Sequence, residues 1–411
     1  MLEIKKIKDI AKVRRGASPR PIDDPKYFGG DVGWVRIADV TASNKYLRKT
    51  TQYVSPLGES YSVRVNKGDL VITIAGTVGR PIIIDIPACI HDGFVQIYDL
   101  EDTEIEYLYY FLKHIEKGLY RFGQSGTQTN LNSEIIKNLE LTWLPKPEQT
   151  RIAEILSKAD ESIAHTEALI AKYQRIKTGL MQDLLTRGID EKGNIRSKTT
   201  HKFVKKNGME VPEEWEVVRL ENACSRIGDG VHSSVNFSVE GTIPFLFVSC
   251  IKEGEILWKN ATTVTDSEFQ KIGIGVNDND DFVLYSVVGS FGNAVKLSGK
   301  MKVTFQRHIA YMIPQKAILN SNFLEVFLNS EFGKRQANFF AIGNAQKTIT
   351  LNALRNYTVL LPQINEQEAI LGIIQKEEKA IKDCQNYLTK LNSLKKGLMQ
   401  DLLSGKVRVK I

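Results

Sequence analysis

The chain has 411 residues, a formal net charge of +7 and an isoelectric point of about 8.9. This length is enough for two to four domains, each with its own core. With 42% hydrophobic and 25% charged residues, the composition excludes a mainly disordered chain. The small excess of Lys and Arg permits a polyanionic partner without requiring one.

Compartment and membrane association follow from cysteine use and hydropathy. Cys89, Cys224, Cys250 and Cys384 form no CxxC pair, so we expect reduced thiols in a cytoplasmic protein. The first ten residues are too charged for a secretory signal. The most apolar stretches, 71–90 and 282–297, are broken by Gly, Pro, Arg or Asp well before the ~20 residues that a membrane-spanning helix needs.

Residues 1–143 read as a mixed α/β domain. Three short runs, 33–37, 69–74 and 81–84, have strand character and are separated by Gly and Pro turns. A helix is predicted at 104–117 because its apolar residues recur at helical spacing.

A long helix is predicted next. Between residues 148 and 185 the chain contains no Pro and one Gly, Gly179. Apolar residues follow at steps of mostly three and four: Ile152, Ile155, Ala159, Ile163, Leu169, Ile170, Tyr173, Ile176, Leu180 and Leu184. Such a helix is roughly 60 Å long. Residues 188–210 are polar and basic, and we interpret them as a solvated linker.

The second half repeats this plan. Runs 243–248 and 282–288 take the places of 32–37 and 70–75, and each half has a Gly-x-x-Gly turn, Gly76–Gly79 and Gly289–Gly292. Polar segments 124–132 and 344–352 both end in Leu-Asn. A second long helix is predicted at 366–403, with the stripe Ile370, Ile373, Ile374, Ile381, Cys384, Leu388, Leu391, Leu394, Leu398 and Leu402.

The two predicted long helices contain the strongest internal sequence repeat. The sequence GLMQDLL at 179–185 returns at 397–403, 218 residues later, and Glu148-Gln149 returns as Glu366-Gln367. A repeat of this length indicates duplicated domains with a pseudo-twofold relation rather than a solenoid. We predict that the two helices pair as an intramolecular antiparallel coiled coil through Ile152, Ile163, Ile170, Leu180, Leu184, Ile370, Ile381, Leu388, Leu398 and Leu402. The alternative is that each helix packs on its own globular domain.

Signatures of catalysis are absent from the sequence. It has no phosphate-binding loop, no dinucleotide fingerprint and no HExxH pattern, so we predict no catalytic residue and no metal site. The acidic run 277–281 is interpreted as a turn, since a calcium loop would need Gly where its sixth position falls.

The globular parts instead offer polar loops suited to DNA. Arg and Lys pair with guanine, Asn and Gln with adenine, and Ser and Thr with bases or phosphates. The candidate DNA-binding residues are Arg14, Arg15, Ser18, Arg20, Thr77, Arg80, Gln124, Ser125, Thr127, Gln128, Asn130, Ser233, Ser234, Asn236, Ser290, Asn293, Gln306, Arg307, His308, Asn344, Gln346 and Lys347.

The order globular–helix–globular–helix, together with duplicated motifs, carries a family resemblance. These motifs are Leu-Pro…Glu-Gln at 144–149 and 361–367, the paired GLMQDLL, and Asn66–Asp69 followed by a Gly-x-x-Gly turn. The chain thereby resembles the specificity subunit of a type I restriction–modification system. It departs from this pattern at Asp280-Asp281, where the first half has Gly68-Asp69.

The resemblance implies a domain plan and a function. Residues 1–143 and 211–360 would be target-recognition domains, 144–187 and 361–405 long helices, and 188–210 a linker. Each domain would read one half of an asymmetric DNA site, while the coiled coil sets the spacer. The helices would recruit two adenine-N6 methyltransferase subunits, and two restriction subunits would join. S-adenosylmethionine, ATP and Mg would belong to those partners, with no cofactor in this chain.

Three alternatives remain at this stage. One is the specificity chain of a related system that fuses cutting and methylation in one partner. Another is a self-contained DNA methyltransferase or nuclease with degenerate motifs. The last is a structural coiled-coil adaptor without a role in DNA binding.

Overall fold

The computed structural model describes residues 3–119, 131–206, 208–252, 254–276, 281–297, 301–344 and 347–410. Its contacts divide the chain into two compact units, Met1–Leu169 with Cys384–Ile411 and Ile170–Asp383. Each unit therefore contains part of both long helices. The predicted five-part division, which separates the helices from the globular domains, stays a prediction.

The globular part of the first unit is a mixed α/β domain. Its strands are β1 (Glu3–Lys6), β2 (Lys12–Arg15), β3 (Phe28–Val35), β4 (Tyr46–Leu47), β5 (Gln52–Val54), β6 (Val63–Val65), β7 (Leu70–Thr73), β8 (Pro81–Ile84), β9 (Ala88–Ile90), β10 (Phe94–Tyr98) and β11 (Glu140–Trp143). Its helices are α1 (Ile37–Ala42), α2 (Pro56–Ser60), α3 (Ile105–Leu119) and α4 (Ser133–Lys137). Two sheets have the orders β2-β10-β7-β8-β4 and β5-β3-β9-β6, and β1 pairs with β11.

Burial explains why the predicted elements form. Strands β7 and β8 are buried along their whole length, and α3 buries six consecutive residues, from Tyr107 to Leu112, in the core. One predicted strand, 33–37, ends early because Ile37 begins α1. The cause is local: the Arg36 backbone N–H donates to Asp39 Oδ2 at 3.0 Å, a hydrogen bond typical of a helix start.

The first long helix, α5 (Lys146–Thr186), precedes the globular part of the second unit. The strands there are β12 (Phe203–Lys206), β13 (Met209–Pro212), β14 (Glu216–Arg219), β15 (Cys224–Asp229), β16 (Ile243–Leu246), β17 (Ile251–Lys252), β18 (Glu255–Ile256), β19 (Thr262–Val264), β20 (Phe282–Ser286), β21 (Ala294–Leu297), β22 (Thr304–Phe305), β23 (Ile309–Pro314) and β24 (Thr358–Leu361). The helices are α6 (Leu220–Ala223), α7 (Asp266–Ile272), α8 (Ser321–Asn329), α9 (Glu331–Phe340), α10 (Leu351–Arg355) and the second long helix α11 (Ile364–Leu403).

The two globular parts share one topology, which confirms the predicted duplication. The sheets β15-β23-β20-β21 and β19-β16-β22 reproduce the orders β2-β10-β7-β8 and β5-β3-β9. Both copies contain a parallel pair at the same place, β3 with β9 and β16 with β22. An addition before the second copy is the β12–β13 hairpin, which lies partly within the segment interpreted as a linker.

One sequence alignment between the halves was wrong by two residues. The Leu131 N–H donates to Ile74 O at 3.0 Å, and its counterpart is the Ile349 N–H, which donates to Val287 O at 2.8 Å. Leu131 thus corresponds to Ile349 and not to Leu351. Leu351 is instead the first residue of α10, which Thr350 caps by accepting from Ala353 N–H.

The long helices pair antiparallel within each unit, as predicted. In the first unit, Ile152 and Leu156 of α5 share a core with Met399 and Leu402 of α11. The ion pairs there show the antiparallel direction. Glu148, at the start of α5, pairs with Arg408, and Asp160, farther along α5, pairs with Lys395, which comes before Arg408 in the chain. In the second unit, Leu184 and Leu185 share a core with Ile370 and Ile374, and Lys177 Nζ lies 2.7 Å from Glu378 Oε1.

The predicted interface residues, which would form the seam between α5 and α11, are all at least half-buried. Ile152, Ile170, Leu184, Ile370, Ile381 and Leu402 are buried, and Ile163, Leu180, Leu388 and Leu398 are half-buried. The wider predicted stripe was wrong at Leu169, Ile176 and Leu394, which are 38%, 42% and 57% exposed. These three residues flank the seam. The helix ends bury other residues, such as Leu403, against the globular cores. The alternative packing therefore also holds at the helix ends.

The repeated Glu-Gln pairs fasten each helix start to a domain. The buried Gln149 side chain donates to Leu144 O at 2.7 Å and accepts from Glu104 N–H at 2.9 Å. Gln367 repeats this by donating to Pro362 O at 2.8 Å and accepting from Asn320 N–H at 2.9 Å. Satisfying these backbone groups avoids the cost of burying them unpaired.

The neighbouring glutamates each bind an arginine from the segment that follows the other long helix. Arg408, beyond α11, donates through Nε to Glu148 Oε1 at 2.7 Å. Arg196, beyond α5, donates through Nη2 to Glu366 Oε2 at 3.2 Å, and the Trp215 indole N–H donates to the same oxygen at 3.1 Å. The hydrogen bonds from Arg408 lower the pKa of the Glu148 carboxyl, against the opposing effect of burial. We call the Glu148–Arg408 and Glu366–Arg196 pairs the end clamps.

We expect Leu402→Ala to lower the free energy of unfolding by about 2–5 kcal/mol, because it leaves a cavity in the seam. The matched control is Leu394→Ala on the same helix, where more than half the side chain is exposed and the change should stay within about 0.5 kcal/mol. Urea denaturation of both variants measures the difference. Equal effects would contradict the packing of α11.

We expect Arg408→Ala to destabilise the protein at neutral pH, since Glu148 stays buried without its cation. Because the folded pKa of Glu148 is lowered, the clamp contributes above the unfolded Glu pKa of about 4.3 and is lost as pH falls through the folded value. The difference in free energy of unfolding between Arg408→Ala and the parent protein should therefore disappear at acidic pH. Lys158→Ala, in an exposed pair with Glu161, should show no such pH dependence in the same unfolding series.

Candidate nucleic-acid interface

The Gly-x-x-Gly turns have the same geometry in both domains. The Gly79 N–H donates to Thr73 O at 2.8 Å, and the Gly292 N–H donates to Ser286 O at 2.9 Å. Gly79 and Gly292 have φ of +84° and +86°, a conformation that favours glycine. The Thr73 and Ser286 hydroxyls accept from the N–H of Arg80 and Asn293 at 2.9 and 3.0 Å. The turn is thus part of the backbone framework that the two domains share, which we call the constant framework.

The predicted residues on these turns are largely held by that framework. Arg80 donates to Ser43 O at 3.1 Å, so its guanidinium is fixed against the end of α1. In the second domain, Ser290 O accepts from Ser286 Oγ at 2.7 Å and from Asn293 Nδ2 at 2.9 Å. The Thr77 carbonyl accepts from the Thr73 hydroxyl in the same manner.

In the first domain, three predicted residues converge on Asp92. Ser18 Oγ donates to Asp92 Oδ1 at 2.8 Å, Arg20 Nη2 to Oδ2 at 2.9 Å, and Arg15 Nε to the Asp92 carbonyl at 2.7 Å. Partial burial would raise the pKa of Asp92. The Ser18 hydrogen bond and the nearby Arg20, His91 and Arg15 charges outweigh it and lower the pKa. We call these residues the Asp92 cluster.

Arg14 lies apart from that cluster. Its Nε donates to Gln96 Oε1 at 2.6 Å and its Nη2 to Arg64 O at 2.8 Å. The guanidinium carbon also lies 4.8 Å from the Tyr98 ring centroid. Arg14 therefore lies against the sheet with its donors engaged.

In the second domain, a loop after β15 carries the predicted serines. Ser233 and Ser234 are exposed. Asn236 anchors the loop, since its backbone N–H and Nδ2 donate to the Glu268 carboxylate at 3.1 and 3.2 Å. The hydrogen bond from the Asn236 backbone is the main cause of the lowered pKa of Glu268.

The candidate residues Gln306, Arg307 and His308 lie at a turn between this loop and the Gly-x-x-Gly turn. The Arg307 N–H donates to Val231 O at 3.1 Å, and His308 O accepts from Val287 N–H at 3.0 Å. In the first domain, Gly93 O accepts from Ile74 N–H at 2.8 Å, and Phe94 O accepts from Gly16 N–H at 2.9 Å. Each domain therefore collects an early loop, a β-turn and the Gly-x-x-Gly turn at one end of its sheet.

The remaining predicted residues belong to the late polar segments. Asn344 and Lys347 are exposed beside the Ile342–Thr348 bridge. Six candidate residues lie outside the described part of the chain: Gln124, Ser125, Thr127, Gln128, Asn130 and Gln346. Residues 277–280 of the segment interpreted as a turn also lie outside it.

Sequence reasoning missed Asp92 in the first domain and the exposed Phe339 in the second. Asp92 carries no side-chain donor for a base or a phosphate, so its residue type gave no sign of a role. Phe339 at the end of α9 is 82% exposed. It lies edge-on to Phe340, which stacks on Tyr357 with ring centroids 5.4 Å apart. The signal for Phe339 was the Phe339-Phe340 pair in a basic helix, in which one ring must face outward.

Within the described ranges, the chain has neither a metal-binding cluster nor a membrane-spanning helix. No group of three or more His, Cys, Asp or Glu side chains there is arranged to hold a metal ion. No helix in that part of the chain combines the length and apolar character needed to cross a membrane.

A family comparison identifies the class of protein. The model described as the type I restriction modification DNA specificity domain matches residues 2–175 and 212–393. The chain therefore belongs to the family of type I restriction–modification DNA specificity proteins and contains two such domains.

Individual relatives agree with this assignment. The MjaVIII specificity subunit of Methanocaldococcus jannaschii is 25% identical over 418 residues, which cover 99% of this chain and 93% of the relative. The EcoBI specificity subunit of Escherichia coli is 22% identical, covering 91% and 79%. The recognition role, rather than a catalytic one, is confirmed by these relationships.

A solved structure supports the fold. It concerns complex assembly and conformational transition of the type I restriction–modification system, and its matching chain has a TM-score of 0.65 at 16% identity. The match covers 98% of both chains. The fold is thus shared along nearly the whole length of both chains.

Proposed function

We propose that each globular domain reads one half of an asymmetric, bipartite DNA site, while the paired helices fix an unread spacer between the halves. The observation that carries this proposal is a contrast inside the molecule. The turns at the sheet ends share a framework of backbone hydrogen bonds, such as Gly16 N–H to Phe94 O and Gly230 N–H to Ile309 O. The side chains they present, such as Asp92 and Arg307, differ.

The polar loops have the chemistry for this task. Cations and hydroxyls contact phosphates, which provide affinity but carry no sequence information. Base edges are read by Arg, Asn, Gln, Ser and Thr in the major groove. Apart from His308, the candidate DNA-binding residues are cations, hydroxyls or amides of these types. Most of those that the structure describes lie on or beside the three loops, whereas Arg14 lies on β2 and Asn344 in the late polar segment.

We further propose that the helices recruit two methyltransferase subunits, which two restriction subunits then join. Leu169, Tyr387 and Leu394 support a docking surface: Tyr387 and Leu394 are 55% and 57% exposed and seven residues apart on α11. Leu169, Tyr387 and Leu394 each follow a seam position by three residues, which places them on one side of an antiparallel pair. The other side contains the Asp160–Lys395 pair.

On this proposal the chemistry belongs to the partners. S-adenosylmethionine, ATP and Mg would bind there, and the assembly would act in the cytoplasm. A partner that fuses methylation and cleavage in one chain is the second candidate, since it would need the same docking surface.

The first test replaces residues 1–143 with the matching domain of a relative and determines the methylated sequence in a host with the cognate methyltransferase. One half-sequence should change while the other half and the spacer persist. Lengthening both helices by four matched residues adds ~6 Å. Because a base step spans ~3.4 Å, the spacer should grow by one or two base pairs. Both halves changing after one swap would contradict independent reading.

Two controls separate the rival functions. The purified chain, incubated with DNA and labelled S-adenosylmethionine, should transfer no methyl group, whereas a self-contained methyltransferase would. A structural adaptor would show no salt-dependent DNA binding once the complex is assembled, while a recognition subunit must.

The second test addresses recruitment. Tyr387→Glu with Leu394→Glu should abolish co-purification of the methyltransferase subunit, because carboxylates cannot enter an apolar contact without large cost. The control is Lys396→Glu, an exposed residue two positions after Leu394 and therefore on the opposite side of α11. Both variants should keep the parent unfolding curve. Normal assembly of the double variant would place the docking surface elsewhere.

A further inference from the structure

We infer that the two recognition domains use the same turn with opposite charge: Arg307 contacts DNA directly, whereas Asp92 is a positioning residue that holds the DNA-facing cations of the first domain. This inference rests on the proposed function and assigns separate roles within its two reading surfaces.

The two turns are equivalent by their backbone bonds. Gly16 N–H donates to Phe94 O at 2.9 Å, and Gly230 N–H donates to Ile309 O at 3.1 Å. The next bonds also correspond, from Ala17 N–H to Ile90 O and from Val231 N–H to Phe305 O. The second residue of each turn is therefore Asp92 in the first domain and Arg307 in the second.

The charge is reversed on the facing strand as well. Arg15 pairs with Val95 at the end of β2, and Asp229 pairs with Ala310 at the end of β15. These are the same ladder position, one residue before Gly16 and Gly230. In the first domain the strand carries the cation and the turn the carboxylate, and in the second domain the assignment is exchanged.

Asp92 has its oxygens committed to the protein. Its carboxylate accepts from Ser18 and Arg20, and its carbonyl accepts from Arg15. A free carboxylate at a DNA-facing turn would repel phosphates. Neutralised in this way, the Asp92 carboxylate instead orders the loop of 15–20 through Ser18 and fixes the direction of the Arg20 guanidinium, while the Asp92 backbone carbonyl holds the Arg15 guanidinium. Such fixed donors discriminate between bases better than mobile ones do.

Arg307 has the opposite character. It is exposed, and within the described ranges its guanidinium makes no hydrogen bond or ion pair. The counterpart carboxylate, Asp229, is occupied by His232 Nε2 at 2.7 Å. The Arg307 backbone is fixed by its bond to Val231, so the side chain extends from a rigid turn. A guanidinium so placed can bind a guanine edge or a phosphate.

The test uses the assembled methyltransferase complex and its own site, found from the methylated sequence in the host. Binding is measured over a series of salt concentrations. Four duplexes are compared: the intact site, either half scrambled, and both scrambled. The variants are Asp92→Asn, Asp92→Glu, Arg307→Ala and Arg307→Lys, each accompanied by a thermal unfolding curve.

For Asp92→Asn we expect discrimination at the first half-site to fall about tenfold, while binding to fully scrambled DNA is unchanged or stronger. The second half-site should be read as before. Asp92→Glu should restore part of the discrimination, which a merely structural defect would not. A uniform loss of binding to every duplex, or unaltered discrimination, would overturn the role of Asp92.

For Arg307→Ala we expect weaker binding wherever the second half-site is intact and a salt slope smaller by about one. Discrimination at the first half-site should persist, and Arg307→Lys should recover the salt slope. Unchanged binding would overturn the role of Arg307. If the parent complex itself fails to discriminate among the four duplexes, the proposed function fails, independently of these variants.

Discussion

The structure depends on the antiparallel pairing of two helices whose starts are clamped by ion pairs. Each helix is about 40 residues long, and an isolated helix obtains little stability from propensity alone. The apolar seam and the end clamps supply what propensity lacks. Each clamp joins the start of one helix to the segment that follows the other, so neither end of the pair is left to fray.

This framework explains why the helix ends of the two halves are nearly identical in sequence while their loops differ. The helix ends must satisfy a shared seam, buried Gln149 and Gln367, and two Glu–Arg pairs, so few substitutions are tolerated there. The loops at the sheet ends are held by backbone hydrogen bonds that occur in both domains and that need no particular side chain. They are free to differ, and opposite charges at Asp92 and Arg307 are the clearest result.

The sequence predicted the repeat and the helix pairing. It succeeded where periodicity records burial, as at Ile152 and Leu402. It failed at Leu169 and Leu394, since an apolar residue flanking a seam has the same spacing as one inside it. It also misaligned Leu131 with Leu351, because the capping residue Thr350, rather than the Leu-Asn letters, sets where α10 begins. The Asp92 cluster joins residues more than 70 positions apart, which no local pattern records.

The central claim is that one constant framework presents two different reading surfaces to one duplex. Its most direct test is base-removal interference on the natural site, with the assembled complex selecting the molecules it still binds. The account predicts two clusters of essential bases separated by a tract in which any base can be removed. A single uninterrupted cluster would contradict it.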